Sequence, residues 1–138
     1  MICCSTAFYD KVEGISKFLS DRGDEVVYPN GYLDNAFELA DDVSKEEYTK
    51  FFRDMFKESA DKIKNVDAIV VLNYNKVKNG IELPNYIGAS TFLEMYEAFM
   101  NGKKIFMING FPDNMLLDEI KGFNPIILDG DINNINNY

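Results

Sequence analysis

VDAIVVLNY, residues 66–74, decides how the rest of the chain folds. From Ala68 to Leu72 it holds no polar residue. A strand with one wet face alternates polar and apolar residues, whereas an unbroken apolar run is covered on both faces, as in a central parallel strand. KIFMING at 104–110 repeats that character, and PIILDG at 125–130 does so more weakly. MICCS at 1–5 reads as a buried first strand, and EVVYP at 25–29 as a short second one stopped by Pro29.

Helical spacing fills the intervals. Val12, Ile15, Phe18 and Leu19 recur at helical period and stop at the Asp21-Arg22-Gly23 turn. Asn30-Gly31 marks another turn, with a short helix expected around Ala36. Ser44 and Glu47 have capping-box spacing. The stripe behind them, Tyr48, Phe51, Phe52, Met55, Phe56, Ala60 and Ile63, reads as core or as an oligomer interface. A helix is expected from 91 to about 100, closed by Asn101-Gly102, and a shorter one over 115–120. The polar tail from about 131 reads as a loose end.

Strands alternating with helices in 138 residues make one α/β domain over 1–138. The simplest arrangement is a flavodoxin-like, doubly wound parallel sheet of five strands in the order 2-1-3-4-5, with right-handed crossovers and helices on both faces. Ligands of such sheets bind beyond the carboxyl ends of the strands. That puts residues 5–9, the turn after the second strand, 73–90 and 109–113 around one crevice.

Composition narrows the chemistry. Net charge is −9, which repels phosphate backbones and anionic lipid, so neither a nucleic-acid polymer nor a membrane is an expected partner. There is no histidine, which removes Ser-His-Asp and Cys-His catalysis and most zinc sites. The only cysteines, Cys3 and Cys4, are adjacent on a strand and point to opposite faces, so they read as free thiols of a reducing cytoplasm. Neither has a nearby base in the sequence to make it a nucleophile. No phosphate-loop or dinucleotide glycine pattern occurs, and no cofactor or metal is expected.

Within the crevice loops, Ser5 and Thr6 offer hydroxyls to a sugar or phosphate, or satisfy the strand end. Phe8 and Tyr9 are placed to stack on a base or to join the core. Asn73 could hold a ribose hydroxyl or shape a turn, and Asn109 heads the 109–113 loop, where Asp113 reads as a helix cap. Tyr86 and Gly88 read as a ligand loop. Ser90 and Thr91 supply hydroxyls and free N–H groups for a 5′-phosphate, or plain capping. Glu94, three residues after Thr91, is either the acid of a capping box or an ionised carboxylate at the crevice, able to attack a sugar carbon.

ICCSTAFYDKVEGISKFLSDRGDEVVYP, VDAIVVLNYN and NYIGASTFLEMYEAFMNGKKIFMINGFPD together resemble the nucleoside 2-deoxyribosyltransferase-like family, which includes deoxynucleoside monophosphate N-glycosidases. The resemblance spans residues 2 to about 130 and is most specific over 85–109. It implies that Glu94 is a nucleophile forming a 2-deoxyribosyl ester. Met95-Tyr96 replaces the family's hydrophobic-Gly pair, and Cys4-Ser5 its Gly-Ser. Transferring members carry an aspartate ahead of the nucleophile; here the only acid between Asp67 and Glu94 is Glu82. The resemblance also implies a homodimer or higher assembly in which a neighbour completes the pocket, a part for which Tyr138 is the candidate. The expected activity is cleavage or transfer at the N-glycosidic bond of a nucleoside or its 5′-monophosphate. The rival readings are a non-catalytic nucleotide-binding module and a flavin-binding domain of the same fold.

Overall fold

A computed structural model describes residues 1–33 and 42–138. The helix expected around Ala36 falls outside these residues. The protein is α/β, with a parallel sheet of four strands. β1 (Ile2–Cys4) and β5 (Lys104–Met107) flank β2 (Ala68–Leu72), and β6 (Ile126–Ile127) closes the far edge. Val70 at the centre of β2 pairs with Ile2 on one side and Phe106 on the other.

Residues 25–29 form no regular strand. They run extended beside β1, where the Ile2 N–H donates to the Val27 carbonyl at 2.9 Å. One backbone hydrogen bond does not make a ladder, so the described sheet has four members rather than five.

Alternation along β2 sorts the core into two layers, since successive side chains point to opposite faces. Ile69 and Val71 pack with Cys3, Ile63, Met95 and Ile105 beneath α2 (Lys45–Lys64) and α3 (Ala89–Met100). Val70 and Leu72 pack with Ile2, Val12, Leu19 and Phe106 against α1 (Tyr9–Asp21). The chain end joins this second layer. Asp131 caps a 3-10 helix over Ile132–Asn137 that buries Ile135, so the tail is docked rather than loose.

Local signals set the helix ends. Ser44 and Glu47 make the reciprocal capping box that starts α2. α3 stops in a Schellman arrangement, with Lys103 N–H on Ala98 O at 2.9 Å, Gly102 N–H on Phe99 O at 3.0 Å and Gly102 at φ 64°. Its start differs from expectation. α3 begins two residues earlier, with Gly88 as N-cap, so Thr91 is a buried residue of the first turn and caps nothing. α4 (Leu117–Gly122) has Leu116 at its N-cap with no side-chain cap, and Asp113 is exposed and makes none; the Asn114 side chain accepts the Leu116 N–H. Within residues 73–90 lies a hairpin, β3 (Lys76–Lys78) and β4 (Ile81–Leu83), turned by Asn79-Gly80 with both φ positive.

The carboxyl ends of β2 and β5 are joined by Asn73. Its side chain is fully buried, donates to the carbonyls of Asn109 (3.2 Å) and Gly110 (2.8 Å), and accepts the Asn109 N–H at 2.8 Å. Asn109 returns a bond to the Asn73 carbonyl at 3.2 Å. Asn73→Ala strands those backbone groups in a dry site, so urea unfolding should show a loss of about 3 kcal/mol. A loss under about 0.5 kcal/mol would mean that the clamp is dispensable.

Candidate active site

A cavity of about 500 Å³ opens between α2, α3 and the loop after β1. The loop after β1 contributes Ser5, Thr6 and Tyr9, and the turn at Pro29-Asn30 closes one end. From the α3 side come Tyr86, Gly88, Ser90, Thr91 and Glu94. The opposite wall is the aromatic face of α2, where Phe51, Phe52, Met55 and Phe56 stand over Ser59. That stripe is neither closed core nor only an outer face. Tyr48 and Phe56 are exposed, and of the residues on α2 only Ser59 and Ile63 are buried.

Several expected residues lie elsewhere. Asn73 and Asn109 spend their amides on the clamp between strand ends, and neither lines the cavity. Phe8 is buried behind the wall, edge-on to Tyr74 (5.7 Å) and Tyr86 (6.4 Å), where it braces Tyr86 rather than meeting a ligand. Glu82 sits exposed on the β3–β4 hairpin and accepts from Asn75 at 3.1 Å, outside the cavity lining. The loop 109–113 is also outside it. Tyr138 packs edge-on to Phe106 at 6.2 Å, and its carbonyl accepts from Lys104, the first residue of β5, so within one chain it belongs to the opposite end of the sheet.

Glu94 is at the centre of what the fold does bring together. Because α3 starts at Ala89, Glu94 falls in the second turn, beyond the reach of most of the helix-dipole effect. It is part-buried against β1 and α2, and burial pushes its carboxyl up to about 7. Hydrogen bonds from Ser59 and Cys3 and the charge of Lys62 oppose that rise. The Ser59 hydroxyl donates to Oε1 at 2.9 Å. Ser59 in turn accepts from Asn30 Nδ2 at 2.9 Å, and Lys62 Nζ donates to Asn30 Oδ1 at 2.6 Å. The turn that presents Asn30 is closed by Tyr32 N–H on Pro29 O (3.2 Å), with Gly31 at φ 74°.

Burial and the nearby Glu94 carboxyl raise the Cys3 thiol well above its ordinary value, and the same causes hold Cys4 at about 12. Both are therefore protonated near neutral pH and are weak nucleophiles. The Tyr9 hydroxyl is pushed up to about 12 by burial and donates to the Asn30 carbonyl at 2.9 Å. Tyr86 lies under Lys76, whose ammonium is 4.5 Å from the ring centre. Glu97, one turn along α3, is the other carboxylate among the described lining residues, and its Oε1 accepts from Asn101 at 2.9 Å. No family model, curated protein or solved structure matches the chain.

Sequence reasoning missed Ser59, Asn30, Lys62 and Glu97. Ser59 and Asn30 carried weak signals: a small polar residue within an apolar helical stripe, and an Asn-Gly turn at the mouth of a crevice.

A carboxyl with a folded-state pKa near 7, against an ordinary 4.5, binds its proton more readily folded than unfolded. Its contribution to stability is full below about 4.5 and is lost as pH rises through about 7. Across that window Glu94 should cost the wild type about 3 kcal/mol relative to Glu94→Gln. Denaturant melts of both proteins at pH 4.5, 6 and 8 check this, and parallel curves would show that the carboxyl titrates normally.

Proposed function

We propose that this protein cleaves, or exchanges the base across, the N-glycosidic bond of a 2′-deoxynucleoside or its 5′-monophosphate, with Glu94 as nucleophile. The observation that carries the reading is the part-buried Glu94 carboxylate on the wall of an open cavity, held by Ser59 and half-ionised near neutral pH. In a small apolar-walled site such a group is poised as a nucleophile toward an electron-poor carbon. A carboxylate oxygen of Glu94 attacks the anomeric carbon as the C–N bond breaks, and the bonding electrons leave with the base, which takes a proton from solvent. Water, or a second base, then attacks the same carbon and returns Glu94 to its carboxylate form.

The remaining lining suits the rest of such a substrate. Tyr86 and the aromatic residues of α2 offer faces for a base. Ala89, Ser90 and Thr91 begin α3 with N–H groups that have no intrahelical acceptor, and they border the cavity where a 5′-phosphate would be received. Glu97, rather than Glu82, is the second carboxylate within reach of a bound base. With residues 25–29 counted as an edge member beside β1, the sheet follows the flavodoxin-like order 2-1-3-4-5; the Ile2–Val27 bond supports that count. We also read the protein as a cytoplasmic homo-oligomer. Exposed Tyr48, Tyr96, Phe99 and Met100 on α2 and α3 support self-association. Sedimentation at micromolar concentration should give more than one subunit; a monomer there would remove that part of the reading. Among the described residues no helix is long and apolar enough to cross a membrane.

Incubation with deoxynucleosides and their 5′-monophosphates, with and without a second free base, should release or exchange base, and Glu94→Gln should lower the rate by more than about a thousandfold. Since the attacking form is the carboxylate, kcat/KM should rise about tenfold per pH unit below 7 and level off above it. Tight binding of a monophosphate without turnover in wild type and Glu94→Gln alike would replace this reading with the non-catalytic module.

A further inference from the structure

We propose that Lys62, Asn30 and Ser59 form a positioning relay that turns the Ser59 hydroxyl proton onto Glu94 and fixes the carboxylate in place for attack. The inference rests on the nucleophile reading of Glu94. Its basis is the direction of three consecutive hydrogen bonds. Lys62 Nζ can only donate, so the amide of Asn30 must present its oxygen to it, at 2.6 Å. That fixes the other end of the amide: Nδ2 donates to Ser59 Oγ and to the Met55 carbonyl, each at 2.9 Å. With its oxygen accepting from Asn30, Ser59 directs its own proton to Glu94 Oε1 at 2.9 Å.

The fold holds each member separately. Asn30 is pinned through its carbonyl by the Tyr9 hydroxyl at 2.9 Å, and Ser59 is buried on α2 one turn before Lys62. Lys62 also pairs with Glu58 at 2.7 Å, whose side chain is largely in solvent. Among the described residues, the charged and titratable groups around Glu94 are Cys3 and Cys4 from β1, Tyr9 from the start of α1, Lys62 from α2 and Glu97 from α3 itself. Lys62 is the only cation among them; its charge opposes the drive of burial towards the neutral acid, and the relay fixes that charge and the Ser59 donor in place.

A merely structural staple between the 29–32 turn and α2 would leave the titration of Glu94 alone, which sets the test. The side-chain carboxyl of Glu94, assigned by its loss in Glu94→Gln, is titrated by carbon-13 NMR in the full chain as wild type, Ser59→Ala, Ser59→Thr and Lys62→Met. Ser59→Ala and Lys62→Met should each raise the midpoint by about half a pH unit or more, and Ser59→Thr should stay near wild type. The acid limb of base release should move upward by the same amount. An unmoved midpoint in Lys62→Met overturns the relay, whatever Ser59→Ala does. Should Ser59→Ala fail to fold, Lys62→Met still decides, because that side chain is partly in solvent. A shifted midpoint in a protein that releases no base would uphold the relay as an electrostatic device and overturn the nucleophile reading on which its purpose rests.

Discussion

Everything in this structure leans on one dry strand. β2 has no polar side chain to offer water on either face, so both faces must be roofed. α1 and the docked chain end supply one roof, and α2 with α3 the other. The two layers have different tasks. The α1 side is closed packing, whereas on the other side a cavity opens between α2, α3 and the loop after β1. Glu94 lies on the wall of that cavity, with β1 beneath it and α2 across from it.

Two opposing terms meet at that carboxyl. Removal from water favours the neutral acid, and the donors aimed at it favour the anion. The balance falls near neutrality because the direct donors are uncharged, one hydroxyl and one thiol, and the lysine stands three hydrogen bonds away. A direct lysine pair would have lowered the carboxyl's pKa and neutralised its field, with a corresponding loss of nucleophilicity. An isolated glutamate in the same place would have its pKa raised further, towards the neutral acid.

What was legible in the residues was local or strongly patterned. The apolar run of β2, the Ser44–Glu47 box and the Gly102 stop each depend on neighbours within a few positions, and each forms as read. Failures came where two local patterns competed. Thr91-Phe92-Leu93-Glu94 has capping-box spacing, yet the backbone starts the helix at Gly88, and burial then takes both side chains for other purposes. The alternating flanks of Asn79-Gly80, Lys76-Val77-Lys78 and Ile81-Glu82-Leu83, carried a hairpin signal that the crevice-loop reading of 73–90 obscured. The relay was hidden for another reason. Its contacts join residues 29 to 35 positions apart, and a serine and a lysine on an amphipathic helix look like solvent-facing polarity until the partner elements are in place. Asn73 looked like a ligand-binding amide for the same cause, since nothing near it in the chain reveals that Asn109 and Gly110 claim its hydrogen bonds.

α2 is unevenly held. Its carboxyl half is seated through Ser59 and Ile63, while residues 45–50 are all in solvent and the aromatic face between them is only half covered. The seated half bears the contacts to Glu94, and the loosely held half borders the cavity. Substitutions along Phe51, Phe52 and Met55 can therefore reshape what the cavity accepts while leaving Ser59 and Glu94 in register. On the proposed nucleophile reading, one helix thus separates inheritance of chemistry from drift of selectivity, and a lineage carrying this fold could change its substrates without reinventing its reaction.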